Sequence, residues 1–464
     1  MLSLLLALMC ATMDCSYVLE EWNKDEIAFD GFPRTVAVRD VDGDGYLDVV
    51  SGSSGGDYFF WLRNDGKGSF EHDILGTMGE AKDARDVFVI DVDQDGYLDI
   101  VAASGGDDTI VWYKQTQSDG NVSFTRNVIS TTADNPQSIF AIDLDGDGDI
   151  DILSGNFQSE KITWFENDGD QSFTSKDIVG GLTAIYEIFA IDIDGDGDVD
   201  IVSATGQSHS EISWHENDGA GSFTQRIVFQ DASSPRCIYP IDFDGDGFID
   251  ILAGSEDDNT VWFFKNEGAQ TFSNLTISTD ATGVRGIFVA DVDKDGDLDV
   301  VAALYRADSL VWYETDGANY KKHSIDYSGC DGAFAVVAAN FTNDAHMNIV
   351  LASENDNRVS LYTPTYVDDY DFYRILWILI ILVFLLCLCV ACCCVSRFQK
   401  QLQNCTCCKR CGCDSHPIYI DARSHERNDD HSRGPRATPA VAVILGTEVP
   451  VVSAKVQDSA VFDF

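Results

Sequence analysis

Aliphatic pairs recur along the chain at a nearly constant interval: Val49-Val50, Ile100-Val101, Ile152-Leu153, Ile201-Val202, Ile251-Leu252, Val300-Val301 and Ile349-Val350. An apolar stretch precedes each pair, as in Val87–Ile90 and Ile287–Ala290. Roughly a dozen residues later comes an aromatic stretch with Trp61, Trp112, Trp164, Trp214, Trp262 or Trp312; Leu361 takes that place in the last copy. Short apolar runs bounded by turn residues predict strands covered on both faces. The turn after the aromatic stretch is often Asn-Asp-Gly (Asn64–Gly66, Asn167–Gly169, Asn217–Gly219), which suits a tight hairpin. A fourth strand then opens at Phe70, Phe124, Phe173, Phe223, Phe272 or Tyr320.

Between the first and second strands lies a polar nine-residue pattern, Asp-x-Asp-x-Asp-Gly-x-x-Asp. It starts at Asp40, Asp91, Asp143, Asp192, Asp242 and Asp291, and an eroded copy starts at Asn340. The spacings are 49 to 52 residues. A period near 50 residues with four strands per period predicts an all-β, seven-bladed β-propeller. The last copy lacks its own fourth strand. The N-terminal segment Glu20–Ile27 supplies an unclaimed one, with Trp22 in the place of Phe70. That strand is expected to complete the seventh blade and close the ring, which removes two exposed edges.

The formal charge is −48, from 30 basic and 78 acidic residues. Nucleic acid and anionic membrane surfaces are thereby disfavoured as partners, because both need basic residues facing phosphate. Much of the acid sits in the nine-residue loops. Four carboxylates this close repel unless a cation lies among them. Hard all-oxygen donor sets suit Ca²⁺, which takes six to eight oxygens. The expected ligands are Asp40, Asp42, Asp44 and Asp48 with the carbonyl of Tyr46. In the next loop they are Asp91, Asp93, Asp95 and Asp99 with Tyr97, and then Asp143, Asp145, Asp147 and Asp151 with Asp149. The later loops offer Asp192, Asp194, Asp196 and Asp200 with Asp198; Asp242, Asp244, Asp246 and Asp250 with Phe248; and Asp291, Asp293, Asp295 and Asp299 with Asp297. Gly45 and its counterparts permit the turn around the ion. The side chains of Asp149, Asp198 and Asp297 are expected to point outward. About six structural ions are expected, with extracellular-grade affinity of roughly 10⁻⁴–10⁻³ M. The eroded loop keeps only Asp344 as a carboxylate and is expected to bind weakly or not at all.

The chain's ends carry addresses. Residues 1–15 read as a secretory signal, with the apolar stretch 2–11 as its core. Ile375–Val395 is 21 residues without a charge, long enough to span a bilayer as one transmembrane helix. Arg397, Lys400, Lys409 and Arg410 follow it, so residues 396–464 are expected in the cytosol as a Cys-rich and then flexible tail that binds an adaptor. Residues 16–366 then form an ectodomain, outside the cell or in an endomembrane lumen. Ten of the 14 cysteines lie between Cys387 and Cys413. S-acylation is favoured there over a zinc site. Pairing of Cys237 with Cys330 is not favoured. Asn121, Asn274 and Asn340 begin glycosylation sequons.

Six residues before each loop's first Asp, one position recurs at the rim opposite the Asp loops: Arg34, Arg85, Gln137, Tyr186, Arg236, Arg285 and Phe334. Arg34, Arg85, Arg236 and Arg285 are candidate ligands for an anionic or glycan partner. The competing expectation pairs them with the acids four residues before the tryptophans: Asp57, Asp108, Glu160, Asp258 and Asp308. No nucleophile, Walker or zinc-protease motif is present. The chain therefore reads as a binder of an extracellular protein or glycan rather than an enzyme. The alternative is a membrane-tethered lectin or polysaccharide-processing enzyme.

Taken together, the Asp loops and the Trp…Asn-Asp-Gly…Ser-Phe segments over residues 20–364 resemble the FG-GAP/VCBS repeats of the seven-bladed propeller of integrin alpha subunits. The resemblance implies a Ca²⁺-stabilised propeller used in adhesion or ligand recognition. The literal Phe-Gly and Gly-Ala-Pro signature and the Gly-Phe-Phe-Lys-Arg segment are missing; Val395-Ser-Arg-Phe-Gln stands after the apolar run. Pairing with a beta subunit is therefore not implied.

Overall fold

The computed structural model describes residues 18–367, apart from 30, 119, 208–209, 269 and 343–345. The expected signal (1–15), membrane helix (375–395), tail (396–464) and Asp344 lie outside the described residues. Within them, seven antiparallel four-stranded sheets follow one another, with one short 3₁₀ turn at Tyr305–Ala307 and no α-helix. No helix among the described residues is long and apolar enough to cross a membrane.

Six of the sheets run in chain order. The first blade holds Pro33–Arg39, Asp48–Ser53, Tyr58–Asn64 and Phe70–Leu75. The first strands of successive blades touch around a full circle, the seventh meeting the first. Second strands are buried along their whole length in every blade, which is why they read as continuous aliphatic runs rather than alternating ones. Phe88, Phe140, Phe189, Tyr239 and Phe288 from five first strands pack ring against ring around the centre, with centroids 4.7 to 6.1 Å apart.

The seventh blade contains Ala333–Ala339, Asn348–Ser353 and Arg358–Val367, and its fourth strand is the N-terminal Val18–Phe29. Trp22 pairs with Pro364 as Phe70 pairs with Asn64, so the ring closes in the expected register. Side chains reinforce the blade contacts. Asn64 Nδ2 donates to the carbonyl of Phe341 in blade seven, and Gln115 Nε2 to that of Val41 in blade one.

The fifth blade corrects one expectation. Val50 faces Trp61 and Val301 faces Trp312, but Leu252 faces Phe263, not Trp262. Trp262 lies one residue earlier, on the opposite face, and is only partly buried. Two adjacent aromatics made the parity of that strand ambiguous, and strand parity decides which face a side chain takes.

Candidate metal centre

The six intact loops fold alike. The first Asp accepts from the backbone N–H of the Gly at position six: Gly45 to Asp40 (2.9 Å), Gly96 to Asp91 (2.8 Å), Gly148 to Asp143 (3.0 Å), Gly197 to Asp192 (3.0 Å), Gly247 to Asp242 (3.0 Å) and Gly296 to Asp291 (3.2 Å). Those glycines hold φ between 92° and 102°, a conformation a Cβ strains. The fifth Asp accepts from the N–H of position seven, as Asp44 does from Tyr46 (2.9 Å) and Asp147 from Asp149 (2.9 Å). In four loops the first, third and ninth carboxylates come within 4.8 Å of one another. These sets are Asp40, Asp42 and Asp48; Asp91, Asp93 and Asp99; Asp143, Asp145 and Asp151; and Asp192, Asp194 and Asp200. In the fifth loop the set is Asp242, Asp244 and Asp246.

Sequence reasoning missed a second role for the ninth Asp. Asp48, Asp99, Asp151, Asp200, Asp250 and Asp299 are all at most 1% exposed. One oxygen of each accepts the N–H of the loop's second residue, as with Val41 to Asp48 (3.2 Å) and Phe243 to Asp250 (3.0 Å). The other accepts the N–H at the end of the third strand, as with Asn64 to Asp48 (2.8 Å) and Thr315 to Asp299 (2.8 Å). The ninth Asp thus ties the loop to its blade. Asn348 keeps one of these bonds, from Phe341 (2.9 Å), in the seventh loop, where three of the four carboxylates are lost. The available signal was a ninth position that is Asp in six copies and stays an oxygen-bearing Asn in the seventh, whose first and third positions have drifted.

Burial pushes the carboxyls of Asp48, Asp151, Asp200 and Asp299 up to about 7, and those of Asp99 and Asp250 to about 6. Burial also raises Asp42, Asp145 and Asp293, and the neighbouring loop aspartates add to it. A cation among these oxygens would offset both effects. The donor set is all oxygen and fits a hard divalent ion. Two loop acceptors lack a protein partner: Asp93, with a side chain 3% exposed, and Asp291 each have Oδ1 buried and unbonded. Position seven lies over the following turn in four loops: the carboxylates of Asp149 and Asp198, both half-buried, lie over Gly169 and Gly219, and the rings of Tyr46 and Phe248 over Gly66 and Gly268. Tyr97 is exposed, as is Asp297.

At the opposite rim, the recurring position is the extra residue of a β-bulge at the start of each first strand, for example between Ala84 and Asp86 and between Pro235 and Cys237. A bulge re-aims the side chain it carries, which brings Arg34, Arg85, Arg236 and Arg285 to the mouth. Their partners are not the acids expected. Arg34 pairs with Glu354 (2.5 Å) and Asp83 (2.8 Å); Arg85 pairs with Asp83; Arg236 pairs with Glu256 (2.5 Å); and Arg285 reaches both Glu256 (3.1 Å) and Glu354 (3.7 Å). Arg236 stacks on Tyr186 and Arg285 on Tyr305, at 3.7 and 3.5 Å from the ring centroids. Asp57, Asp108 and Asp308 instead accept backbone N–H groups of the next blade, from Asp83 (3.2 Å), Asn135 (2.9 Å) and Gly332 (3.1 Å). Their left-handed φ of 49° to 59° aims them there. In blade five that place belongs to Asn259, which accepts from Gly283 (2.9 Å), and Asp258 binds the N–H of Ser233.

Asn121 and Asn274 lie exposed on fourth strands. Asn340 is half-buried, and its Oδ1 and the Thr342 hydroxyl are both enclosed and without a partner. Cys237 and Cys330 are free and buried.

The FG-GAP-like repeat profile matches residues 40–102, 91–154, 143–203, 192–253 and 242–302, a continuous stretch of more than half the chain. The chain belongs to the FG-GAP repeat family. No curated protein sequence matches it. Among solved structures, one described as "Crystal structure of BBS1N in complex with ARL6DN, soaked with mercury" is similar, with a TM-score of 0.52 and 12% identity over 76% of this chain and 98% of that one. At that identity the likeness concerns the fold. FG-GAP repeats in a closed propeller make a ligand-binding domain.

Proposed function

We propose that this FG-GAP propeller holds calcium in its six intact Asp loops and recognises an extracellular or lumenal ligand while anchored through residues 375–395. The carrying observation is the division between its rims. One rim bears six all-oxygen loops; the other bears four arginines, each a fifth to a quarter exposed, set among Tyr186, Tyr305 and Phe334. Calcium keeps the first hairpin of each blade in place, and the mouth does the recognising. Guanidinium groups bind carboxylate or sulfate bidentately, and ring faces pack against sugar. The ligand is a protein or glycan with anionic character, and the chain binds it without turnover.

The test is a binding array of glycans and protein ectodomains probed with the full chain, with and without a chelator. The expected result is binding to an anionic class that is lost in chelator and weakened at least about tenfold by Arg85→Ala. Arg85 is the clean choice, because its partner Asp83 is also held by Arg34. Binding indifferent to Arg85→Ala removes the mouth from the account. Turnover of a polysaccharide removes the binding reading.

A further inference from the structure

The third Asp of each loop faces a single residue on the third strand, two past the Trp position. That residue divides the loops into two kinds. In blades one, two and five it is basic: Arg63, Lys114 and Lys265. In blades three, four and six it is acidic: Glu166, Glu216 and Glu314. The corresponding residue in the seventh blade is neutral Thr363.

The contacts differ accordingly. The Lys114 ammonium sits on Asp93 and lies 3.3 Å from Asp95. The Lys265 ammonium sits on Asp244 and lies 2.7 Å from Asp246. In both loops a tethered cation occupies the third and fifth carboxylates, where a metal would need them. Arg63 is turned onto Glu71. In blade four the acid converges on the loop: Asp194 and Glu216 share the amide of Gln270, at 3.2 and 3.0 Å. The three glutamates carry their own partners on the fourth strand: Lys176 (2.5 Å), Arg226 (2.6 Å) and Lys321 (2.8 Å). Position seven, chosen on different grounds, divides the loops the same way. It is Tyr46, Tyr97 and Phe248 in the basic set, and Asp149, Asp198 and Asp297 in the acidic set.

We propose that this facing residue grades the loops for calcium: those of blades three, four and six fill first, and those of blades two and five are neutralised by Lys114 and Lys265 and fill last. The proposal rests on the calcium reading above. Its physical basis is that oxygen-donor sites gain affinity with each added carboxylate. A fixed ammonium inside the cluster must be displaced by an entering ion and repels it. The arginine of loop one, held by Glu71, leaves that site between the two kinds. The molecule thus loses calcium from blades two and five while blades three, four and six stay loaded.

The experiment is equilibrium dialysis of the full chain in detergent against radioactive calcium, from about 10⁻⁶ to 10⁻² M free ion, a range that covers sensor and extracellular affinities. Wild type should fill in two separated steps. A double variant, Lys114→Met and Lys265→Met, should move two ions to at least about tenfold lower concentration. Lys→Gln variants at the same positions control for packing. Glu166→Gln with Glu216→Gln and Glu314→Gln should abolish the early step. One uniform step in wild type, or lysine variants that titrate like wild type, overturns the proposal and leaves the calcium reading standing. Failure of every form to retain calcium at any concentration overturns both.

Discussion

At the scale of single residues, buried groups left without partners mark where substitution matters. His215 is fully buried, with Nε2 3.0 Å from Ser203 Oγ and Nδ1 unbonded. Burial lowers its pKa to about 4. The unfolded chain therefore takes up a proton near 6.5 that the folded chain refuses. Stability is lost as pH falls from about 6.5 toward 4. Phe165 and Phe264 fill the same place in blades three and five. His215→Phe should raise stability by about 1 kcal/mol at neutral pH and by more at pH 5, read from thermal melts. A variant no more stable than wild type at pH 5 contradicts this. Arg285 presents the opposite case. It pairs with Glu256 and Glu354, whose side chains are 2% and 9% exposed. Arg285→Ala removes one partner from each, leaving Glu256 to Arg236 and Arg306 and Glu354 to Arg34; it should cost about 1.5 kcal/mol, whereas Arg85→Ala should cost less. Equal melting of the two variants would show that the pairing at the mouth carries no stability. Residue type alone placed these arginines on one rim. Two of the pairings join distant loop residues, Arg34 with Glu354 across 320 positions and Arg285 with Glu256 across 29, separations at which no local spacing operates.

At the scale of elements, the Asp hairpin is the unit that repeats. Its period, its glycine and its flanking strands were legible, because each is a local pattern of fixed length. The ninth Asp was read only as a ligand. Its bonds run to the third strand, 16 residues on in blade one, and involve backbone groups that no side-chain pattern displays. The same tie would have corrected blade five: counting back from Asn266, which donates to Asp250 (2.7 Å), lands on Phe263 rather than Trp262. Gly148 holds φ near 100°, so Gly148→Ala should cost about 1–3 kcal/mol and weaken calcium binding at that loop. An unchanged melting curve with and without calcium would contradict that. The closing strand makes a separate expectation. Removing residues 18–29 exposes the whole edge of Arg358–Val367. The shortened chain should melt lower and self-associate on size exclusion. A monomer with the wild-type melting temperature would show that the ring does not need this strand.

For the whole molecule, charge is the controlling quantity. Six divalent ions would bring the formal −48 to −36, so the chain stays acidic even when loaded. The ninth aspartates have folded pKa values raised from 3.8 to between about 6 and 7. Without metal, their cost is absent below about pH 4 and grows as pH rises toward 7. In chelator, the melting temperature should therefore fall between pH 5 and 8. In calcium it should not, because ion binding favours the ionised carboxylates that alkali produces. The most direct test is the thermal melt of the full chain at pH 7.5, with saturating calcium and with chelator. The account predicts bound calcium and a melting temperature higher by about 10 °C or more in the ion, since each site filled only in the native state adds stability. Superimposable melts from a chain that retains no calcium would contradict it.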